Sequence, residues 1–394
     1  MKTALSPFVL IVVVALIGML APFSIDTYLP CFPFIEAELH ATRAMLTQTL
    51  AVYLGCFAIA TLFWGPMADK WGRRPIILGS LLGYLAASIL CALATSYEVL
   101  LLGRALQGVM AAGSMVASRA MIRDYFKGQD AQRAMAIMMM LFAAAPALAP
   151  IIGGWLEVTF GWRSVFYFLA LYALSIVLLF YFRVVETQNP AHVQSIHPSH
   201  IARGYWHSLW HPYFVKIILA QGFLIGGFFV YVAGAASLIY DHLHLSEQQF
   251  WLFFVPVVAG ILFGSVLVHR LSHRFNSLRV VTFALLLGGL SVATNVILES
   301  QFDAAPWMVI APLVLYAVGF AMANPGLTIA ALDCLPSRRG MASSLQSLFQ
   351  MGTAGLVAAF VVPVVEDSLQ WMAIAQALLF SMTGLLWLNV RRAI

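Results

Sequence analysis

Charged residues are scarce in this sequence. Only 9% of its 394 residues are charged, with 16 acidic and 21 basic side chains, whereas 62% are hydrophobic. An ordinary soluble domain is about 25% charged and about 45–50% apolar. Because a water-facing surface cannot be built from so few charges, the composition excludes a soluble enzyme of this length.

Cysteines and catalytic motifs are also few. Four cysteines lie in or beside apolar runs with no paired loop spacing, so no disulfide framework is predicted. The sequence has no G-x-x-x-x-G-K-[ST] run, which argues against ATP hydrolysis, and no HExxH or GxSxG motif. A membrane-embedded enzyme or a receptor is therefore disfavoured, although it is the alternative from a different class of protein.

Long apolar runs make up most of the chain, and we predict an all-α polytopic membrane protein with twelve transmembrane helices. The run at residues 9–17 does not alternate in polarity, as a membrane β-strand would. The predicted spans are 8–30, 44–64, 76–95, 99–121, 134–158, 164–184, 213–240, 249–268, 279–298, 306–331, 341–363 and 370–390.

The positions of the basic residues predict the topology. With a cytoplasmic N-terminus, 18 of the 21 basic residues fall in cytoplasmic loops, and only Arg43 and Arg163 fall outside. This bias predicts an even number of spans and two cytoplasmic termini. The apolar run after Lys2 resembles a secretory signal peptide, but its removal would leave an odd number of spans. Since the net charge of +5 reflects these loop anchors, we predict no nucleic-acid partner.

The longest polar segment, residues 186–212, lies between spans six and seven and is predicted to be a cytoplasmic linker. It joins an N-terminal six-helix bundle, residues 1–185, to a C-terminal one, residues 213–394. A basic segment follows span two at residues 65–75, and another lies at the end of span eight at residues 264–274. Together they indicate pseudo-symmetric halves. Five of the ten histidines lie in the linker, but their spacing matches no standard metal site and none is predicted.

The run GPMADKWGRRP at residues 65–75 is the most specific motif. Its glycines permit a tight turn and close helix approach, and Asp69 can pair with a nearby cation. The run resembles the loop signature of the major facilitator superfamily. That resemblance implies a cytoplasmic gate braced against helices four and eleven, with Arg123 or Arg119 as the partner of Asp69. The implied gate residues are Gly65, Asp69, Gly72, Arg73, Arg74 and Arg123. The alternative is a plain basic topogenic loop.

Two ionisable residues lie inside predicted spans. Asp26 in span one and Arg104 in span four are both about five residues from the outer end, which is roughly 7 Å in depth. An ionisable residue in a span is costly and is functional by default. A nearby arginine favours the charged form of an aspartate and burial favours the protonated form, so helix motion would drive proton uptake and release. The alternatives are an outer-loop position for Asp26, with the helix ending at Pro22, and snorkelling of Arg104.

The S-I-D-x-Y-L-P and RxxQG runs around these residues resemble the bicyclomycin-resistance (Bcr/CflA) drug:proton antiporters. The resemblance implies proton coupling by Asp26 and Arg104. Span five carries APALAPIIGGW at residues 145–155, which resembles the antiporter motif of exporters, although Ala149 replaces the usual glycine. The residues that match this motif are Pro146, Pro150, Gly153 and Gly154. An ordinary kinked helix is the alternative.

The predicted function is proton-coupled export of small hydrophobic or amphipathic compounds, such as antibiotics, by alternating access. Export of an endogenous metabolite or siderophore is the alternative. We expect a functional monomer in the lipid bilayer of the bacterial inner membrane, with no cofactor beyond the proton gradient. Polar residues expected to line a substrate cavity are Tyr28, Gln48, Tyr53, Gln107, Gln221, Tyr231, Asn324 and Gln346, although each could instead bond one helix to another.

Overall fold

The computed structural model describes residues 7–126, 128–187, 198–272, 274–301 and 305–391. Within these ranges the chain is helical and contains no strand, which confirms the all-α prediction for the described part.

The first half contains seven α-helices. Thr42 begins α3 by accepting a hydrogen bond from the amide of Met45 at 3.2 Å, which satisfies one of the free amides at a helix start. A short 3₁₀ turn, Leu29–Cys31, joins α1 to α2. The helices are α1 (Pro7–Asp26), α2 (Phe32–Leu39), α3 (Arg43–Trp71), α4 (Arg73–Ala92), α5 (Tyr97–Tyr125), α6 (Gly128–Phe160) and α7 (Arg163–Arg183).

The second half continues the helical pattern. Two π-helical segments interrupt it: Ser237–His242 follows α9, and Val357–Val361 joins α13 to α14. The helices are α8 (Pro198–Leu209), α9 (Pro212–Ala233), α10 (Trp251–Ser272), α11 (Ser277–Gln301), α12 (Pro306–Cys334), α13 (Arg339–Leu356), α14 (Val362–Val365) and α15 (Leu369–Arg391).

Eleven helical stretches of the described chain are long and apolar enough to cross a membrane, and each overlaps one predicted span. The remaining prediction, 134–158, falls in α6. That helix is 33 residues long, above the roughly 20 that a bilayer requires, and its apolar stretch Ala144–Phe160 is described. Helix α3 is longer than the predicted second span, 44–64. Because α3 continues to Trp71 and α4 begins at Arg73, the signature at 65–75 is almost entirely helical.

The chain divides into two compact units. One comprises Met1–Met45 and Val52–Ile201, and the other comprises Leu46–Ala51 and Ala202–Ile394. The division after residue 201 falls within the predicted linker, of which residues 188–197 lie outside the described residues. The linker also contains helix α8, which was not predicted. The domain boundaries themselves stay a prediction.

Small residues let helix backbones approach closely inside each unit. In the first unit α1 packs on α6, and α4 packs on α5 and α7; in the second, α12 packs on α10 and α11, and α9 packs on α13 and α15. A Cβ atom at Gly108 would lie 2.2 Å from the carbonyl oxygen of Tyr53, and one at Gly264 would lie 2.6 Å from that of Val318. These contacts exclude side chains and fix the helix spacing.

Candidate functional site

Asp26 is the last residue of α1 and is only 4% exposed. Among the described residues, no basic nitrogen lies within 4.0 Å of its carboxylate. The helix therefore extends beyond Pro22 and buries this carboxyl group, instead of leaving it in an outer loop. The ion pair between Asp26 and Arg104 is not formed in this structure, and the role of the two residues in coupling stays a prediction.

Arg104 is fully buried in α5 and lies against two aromatic rings. Its guanidinium carbon is 4.9 Å from the ring centroid of Tyr28 and 4.5 Å from that of Tyr53. Cation–π contacts of a desolvated guanidinium are worth about 2 kcal/mol or more. Arg104 therefore does not snorkel to the surface, and the rings replace part of the stabilisation that it loses on leaving water.

The hydrogen bonds of Arg104 are incomplete. Nη1 donates to Oε1 of Gln107 at 2.8 Å, and Nε2 of Gln107 donates to Ser88 at 2.8 Å. Nε and Nη2 are buried and have no acceptor among the described residues. A buried donor without an acceptor costs about 1–3 kcal/mol. The guanidinium can therefore donate further hydrogen bonds from these two nitrogens.

Tyr53 lies near both ionisable residues, because its ring contacts the guanidinium of Arg104 and Asp26 is close enough to interact with its hydroxyl. Nearby, the hydroxyls of Ser24 and Tyr84 are hydrogen-bonded at 2.5 Å. Ser24, Tyr84 and Ser88 were not predicted as site residues. Only their three-dimensional placement marks them, since a serine or tyrosine in an apolar span has no distinctive spacing.

The antiporter motif packs against α1 immediately after Asp26. A Cβ atom at Gly153 would lie 2.2 Å from the carbonyl oxygen of Thr27, so only glycine permits this approach. Pro150 and Gly154 are buried beside it, and Pro146 is half-buried. One turn further along α6, the buried Glu157 contacts the thiol of Cys31. Glu157 was missed in the sequence, although a carboxylate inside a predicted span was itself the signal.

Some of the residues predicted to form the cytoplasmic gate belong to a network of ion pairs around Arg73, and the gating role itself stays a prediction. The Nη1 of Arg73 lies 2.5 Å from Asp69, and its Nε lies 3.0 Å from Asp124 in α5. Gly72 between the two helices has φ of 98°, a conformation that favours glycine. The side chain of Arg123, one of the predicted partners of Asp69, lies outside the described side chains. Gly65 lies within α3.

Glu186 binds the backbone next to this network. Its carboxylate accepts the amide of Arg73 at 3.2 Å and that of Arg74 at 2.9 Å, while the Arg74 side chain donates to the carbonyls of Val184 and Tyr181. Glu186 thus caps the start of α4 from the end of α7. It was predicted only as the first residue of a polar linker.

In the second unit three predicted cavity residues form one hydrogen-bonded cluster. Gln346 donates to Oε1 of Gln221 at 2.7 Å, and Nε2 of Gln221 donates to Oδ1 of Asn324 at 3.2 Å and to Thr328 at 2.9 Å. Gln221 and Gln346 are both buried. Thr328 was not predicted, because a threonine in a span commonly bonds to its own helix.

A separate cluster surrounds Tyr231. Nδ2 of Asn295 donates to the hydroxyl of Tyr231 at 2.8 Å and to Gln376 at 3.1 Å. Tyr231 is therefore not joined to the Gln221 cluster by these hydrogen bonds. Gln48 is exposed, in the short segment Leu46–Ala51 of α3 that groups with the second unit. The described residues contain no group of three or more His, Cys, Asp or Glu side chains that could hold a metal ion.

Similar proteins were found over nearly the whole length of the chain. It is 29% identical over 392 residues to the bicyclomycin resistance protein homolog of Haemophilus influenzae, covering 98% of this chain and 95% of that protein. It is 30% identical over 307 residues to the chloramphenicol resistance protein of Pseudomonas aeruginosa, covering 74% and 70%. The crystal structure of the human organic anion transporter MFSD10 (TETRAN) matches with a TM-score of 0.71 at 19% identity, covering 98% and 99%, which shows a common fold.

The family assignment rests on a match over most of the chain. The family model described as Major Facilitator Superfamily matches residues 14–359. This range includes Asp26 at the end of α1, the signature around Arg73 and helix α6. The chain is thus a transporter and not an enzyme, and it belongs to the Major Facilitator Superfamily.

Proposed function

We propose that the protein exports small hydrophobic or amphipathic compounds, such as antibiotics, in exchange for protons and by alternating access. The observation that carries the proposal is Asp26, a carboxyl group buried in α1 with no ion-pair partner among the described residues. The relatives named for resistance to bicyclomycin and chloramphenicol support antibiotics as the substrate class.

Asp26 is the group that binds the transported proton. A buried carboxyl group is stable when it is neutral, and it is stable as an anion only when water or a cation reaches it. A change in water access, or in the distance to Arg104, therefore shifts it between the two forms. If the substrate binds only when Asp26 is an anion, the proton must leave before the substrate binds.

Arg104 provides the positive charge that responds to this change. Its Nε and Nη2 groups have no acceptor among the described residues, while Tyr28 and Tyr53 hold the guanidinium in place. A deprotonated Asp26 could accept hydrogen bonds from these nitrogens and satisfy both groups. The arginine would thereby favour loss of the proton in one state of the transport cycle.

The second unit contributes to substrate binding through its polar side chains. Gln221 and Gln346 are buried, uncharged and able both to donate and to accept hydrogen bonds. Amides of this kind recognise polar groups on an otherwise apolar compound without requiring a fixed charge. We assign proton coupling to the first unit and part of the substrate contact to the second.

We further propose that the protein is a functional monomer in the bacterial inner membrane, with both termini in the cytoplasm. The basic loops and the bacterial relatives support this placement. The protons come from the gradient across that membrane, and no resident cofactor is needed for the exchange.

Drug accumulation in efflux-deficient bacteria that express the protein tests the proposal. Chloramphenicol, bicyclomycin and a panel of dyes would be measured with and without a protonophore, for the native chain, Asp26→Asn and Asp367→Asn. We expect the native chain to lower accumulation, and the protonophore or Asp26→Asn to reduce efflux by about tenfold, equivalent to about 1.4 kcal/mol.

Asp367→Asn is the matched control, because it makes the same chemical change at an exposed residue. It should export as the native chain does. Undiminished proton-driven efflux by an inserted Asp26→Asn protein would contradict the assignment of the proton site. No efflux of any compound, with excretion of one endogenous metabolite, would instead identify a dedicated metabolite exporter.

A further inference from the structure

Glu157 is a second buried carboxyl group in the first unit. It lies in α6, three residues before the helix ends at Phe160, and is only 6% exposed. A carboxylate inside a membrane span is costly, so that such residues are rare without a function. The proposed export mechanism does not use Glu157.

The contact between α1 and α6 places Glu157 close to the proton site. Gly153 touches the backbone of Thr27, the residue after Asp26. Cys31 follows Thr27 by four residues, Glu157 follows Gly153 by four, and the two are in contact. The Cys31 thiol also lies 3.8 Å from the carbonyl oxygen of Thr27. Since a helix rises about 1.5 Å per residue, Glu157 lies roughly 6 Å beyond the level of Thr27, toward the predicted outer side.

Two basic residues on neighbouring helices have contacts of their own. Arg163, at the start of α7, is paired with Glu38 and donates to the carbonyl of Ala94 at 3.0 Å. On α5, the guanidinium of Arg104 lies between Tyr28 and Tyr53. From the turn after α1, the thiol of Cys31 contacts Glu157.

We propose that Glu157 carries protons between the outer side and Asp26. The Glu157 carboxylate binds a proton from the outer side and passes it to the Asp26 carboxylate, which releases it to the cytoplasm later in the cycle. Glu157 is an anion again after the transfer, so no other reactant is consumed. This inference rests on the proposed function, because it assumes that Asp26 binds the transported proton. Glu157 then lies in the proton path and does not contact the drug.

The test uses the full-length protein in liposomes with chloramphenicol, or the best substrate of the accumulation assay, as the probe. Two rates are compared for Glu157→Gln: uptake driven by a proton gradient, and exchange of labelled for unlabelled drug without a gradient. We expect gradient-driven uptake to fall by at least about tenfold, because proton transfer by a positioned side chain typically contributes about 10²–10⁴-fold. Drug exchange should persist.

Glu366→Gln is the matched control. Glu366 is also buried and directly follows α14 in the second unit, and its backbone carbonyl lies beside Ser237 and His242. It should retain gradient-driven uptake. Equal loss of uptake in both variants, or native uptake in Glu157→Gln, would overturn the proposal.

Two further variants remove the remaining ambiguity. If Glu157→Gln loses drug exchange as well, Glu157→Asp, which keeps the carboxyl group, must support gradient-driven uptake; failure there refutes the proton-carrying role. Asp26→Asn tests the underlying function separately. If Asp26→Asn keeps gradient-driven uptake, the proposed function is refuted. If Asp26→Asn loses this uptake while Glu157→Gln keeps it, only the role of Glu157 is refuted.

Discussion

The guanidinium of Arg104 lies 4.5 Å from the ring centroid of Tyr53, and it forms no ion pair with Asp26. This fully buried cation is thus held by aromatic rings in this structure. A ring stabilises the charge without neutralising it, so that the arginine keeps its ability to attract an anion. This arrangement suits a group that must respond to a change in the charge of Asp26.

Removing the ring of Tyr53 tests this arrangement. Tyr53→Leu should destabilise the protein by about 2 kcal/mol, because a desolvated cation–π contact is lost, and should reduce proton-driven efflux. Tyr53→Phe keeps the ring and is the matched control. Thermal unfolding of the purified protein in detergent and efflux from cells provide the two measurements. Equal behaviour of the two variants would show that the ring does not hold Arg104.

The contact between α1 and α6 can be tested at Gly153. Gly153→Ala would place a Cβ atom 2.2 Å from the carbonyl oxygen of Thr27, so the two helices must separate. Overpacking of this kind costs about 1–3 kcal/mol. We expect a lower unfolding temperature and loss of proton-driven efflux. Gly79→Ala is the control, because a Cβ atom there meets no atom within 4 Å; the same loss in both variants would contradict the prediction.

Much of the fold and part of the site could be predicted from the sequence. Apolar runs and loop charges predict the spans, since the bilayer imposes length and polarity on each helix separately. Asp26 and Arg104 were found because ionisable residues stand out against an apolar background. The extension of α3 to Trp71 was missed because charged residues were taken to end the helix, and hydropathy alone does not distinguish a helix end in lipid from one in water.

The partners of these residues could not be predicted. Tyr53 contacts Arg104 across 51 positions of sequence, and Glu186 reaches Arg73 across 113. Such contacts depend on which helix faces pack together, which the periodicity of a uniformly apolar span does not reveal. Glu157 is a different case, because its carboxylate was visible in the sequence but was outweighed by the apolar run around it.

Glu186 should stabilise the start of α4. Its carboxylate accepts the amides of Arg73 and Arg74, where the helix dipole favours negative charge. Glu186→Gln should weaken this end by about 1 kcal/mol and so raise hydrogen exchange of the first amides of α4 by about fivefold. Glu247→Gln is the control, because it makes the same chemical change in the 3₁₀ turn Glu247–Gln249 of the second unit. Unchanged exchange in Glu186→Gln, measured by mass spectrometry, would exclude the capping role.

The amide cluster of the second unit is predicted to contact substrate. Gln221→Leu removes the acceptor of Gln346 and the donor to Asn324 and Thr328. Leaving buried polar partners unsatisfied costs about 1–3 kcal/mol, so the unfolding temperature should fall. If Gln221 also binds the drug, the KM of export should rise severalfold while dependence on the proton gradient persists.

Gln376→Leu separates these two effects. Gln376 is an equally buried amide of the same unit, and it bonds to Asn295 and to the carbonyl of Gly227. It belongs to the Tyr231 cluster and was not predicted to face the cavity. We expect a similar loss of thermal stability in both variants but a raised KM only in Gln221→Leu. A raised KM in both would mean that packing of the unit, and not contact of Gln221 with the drug, determines substrate affinity.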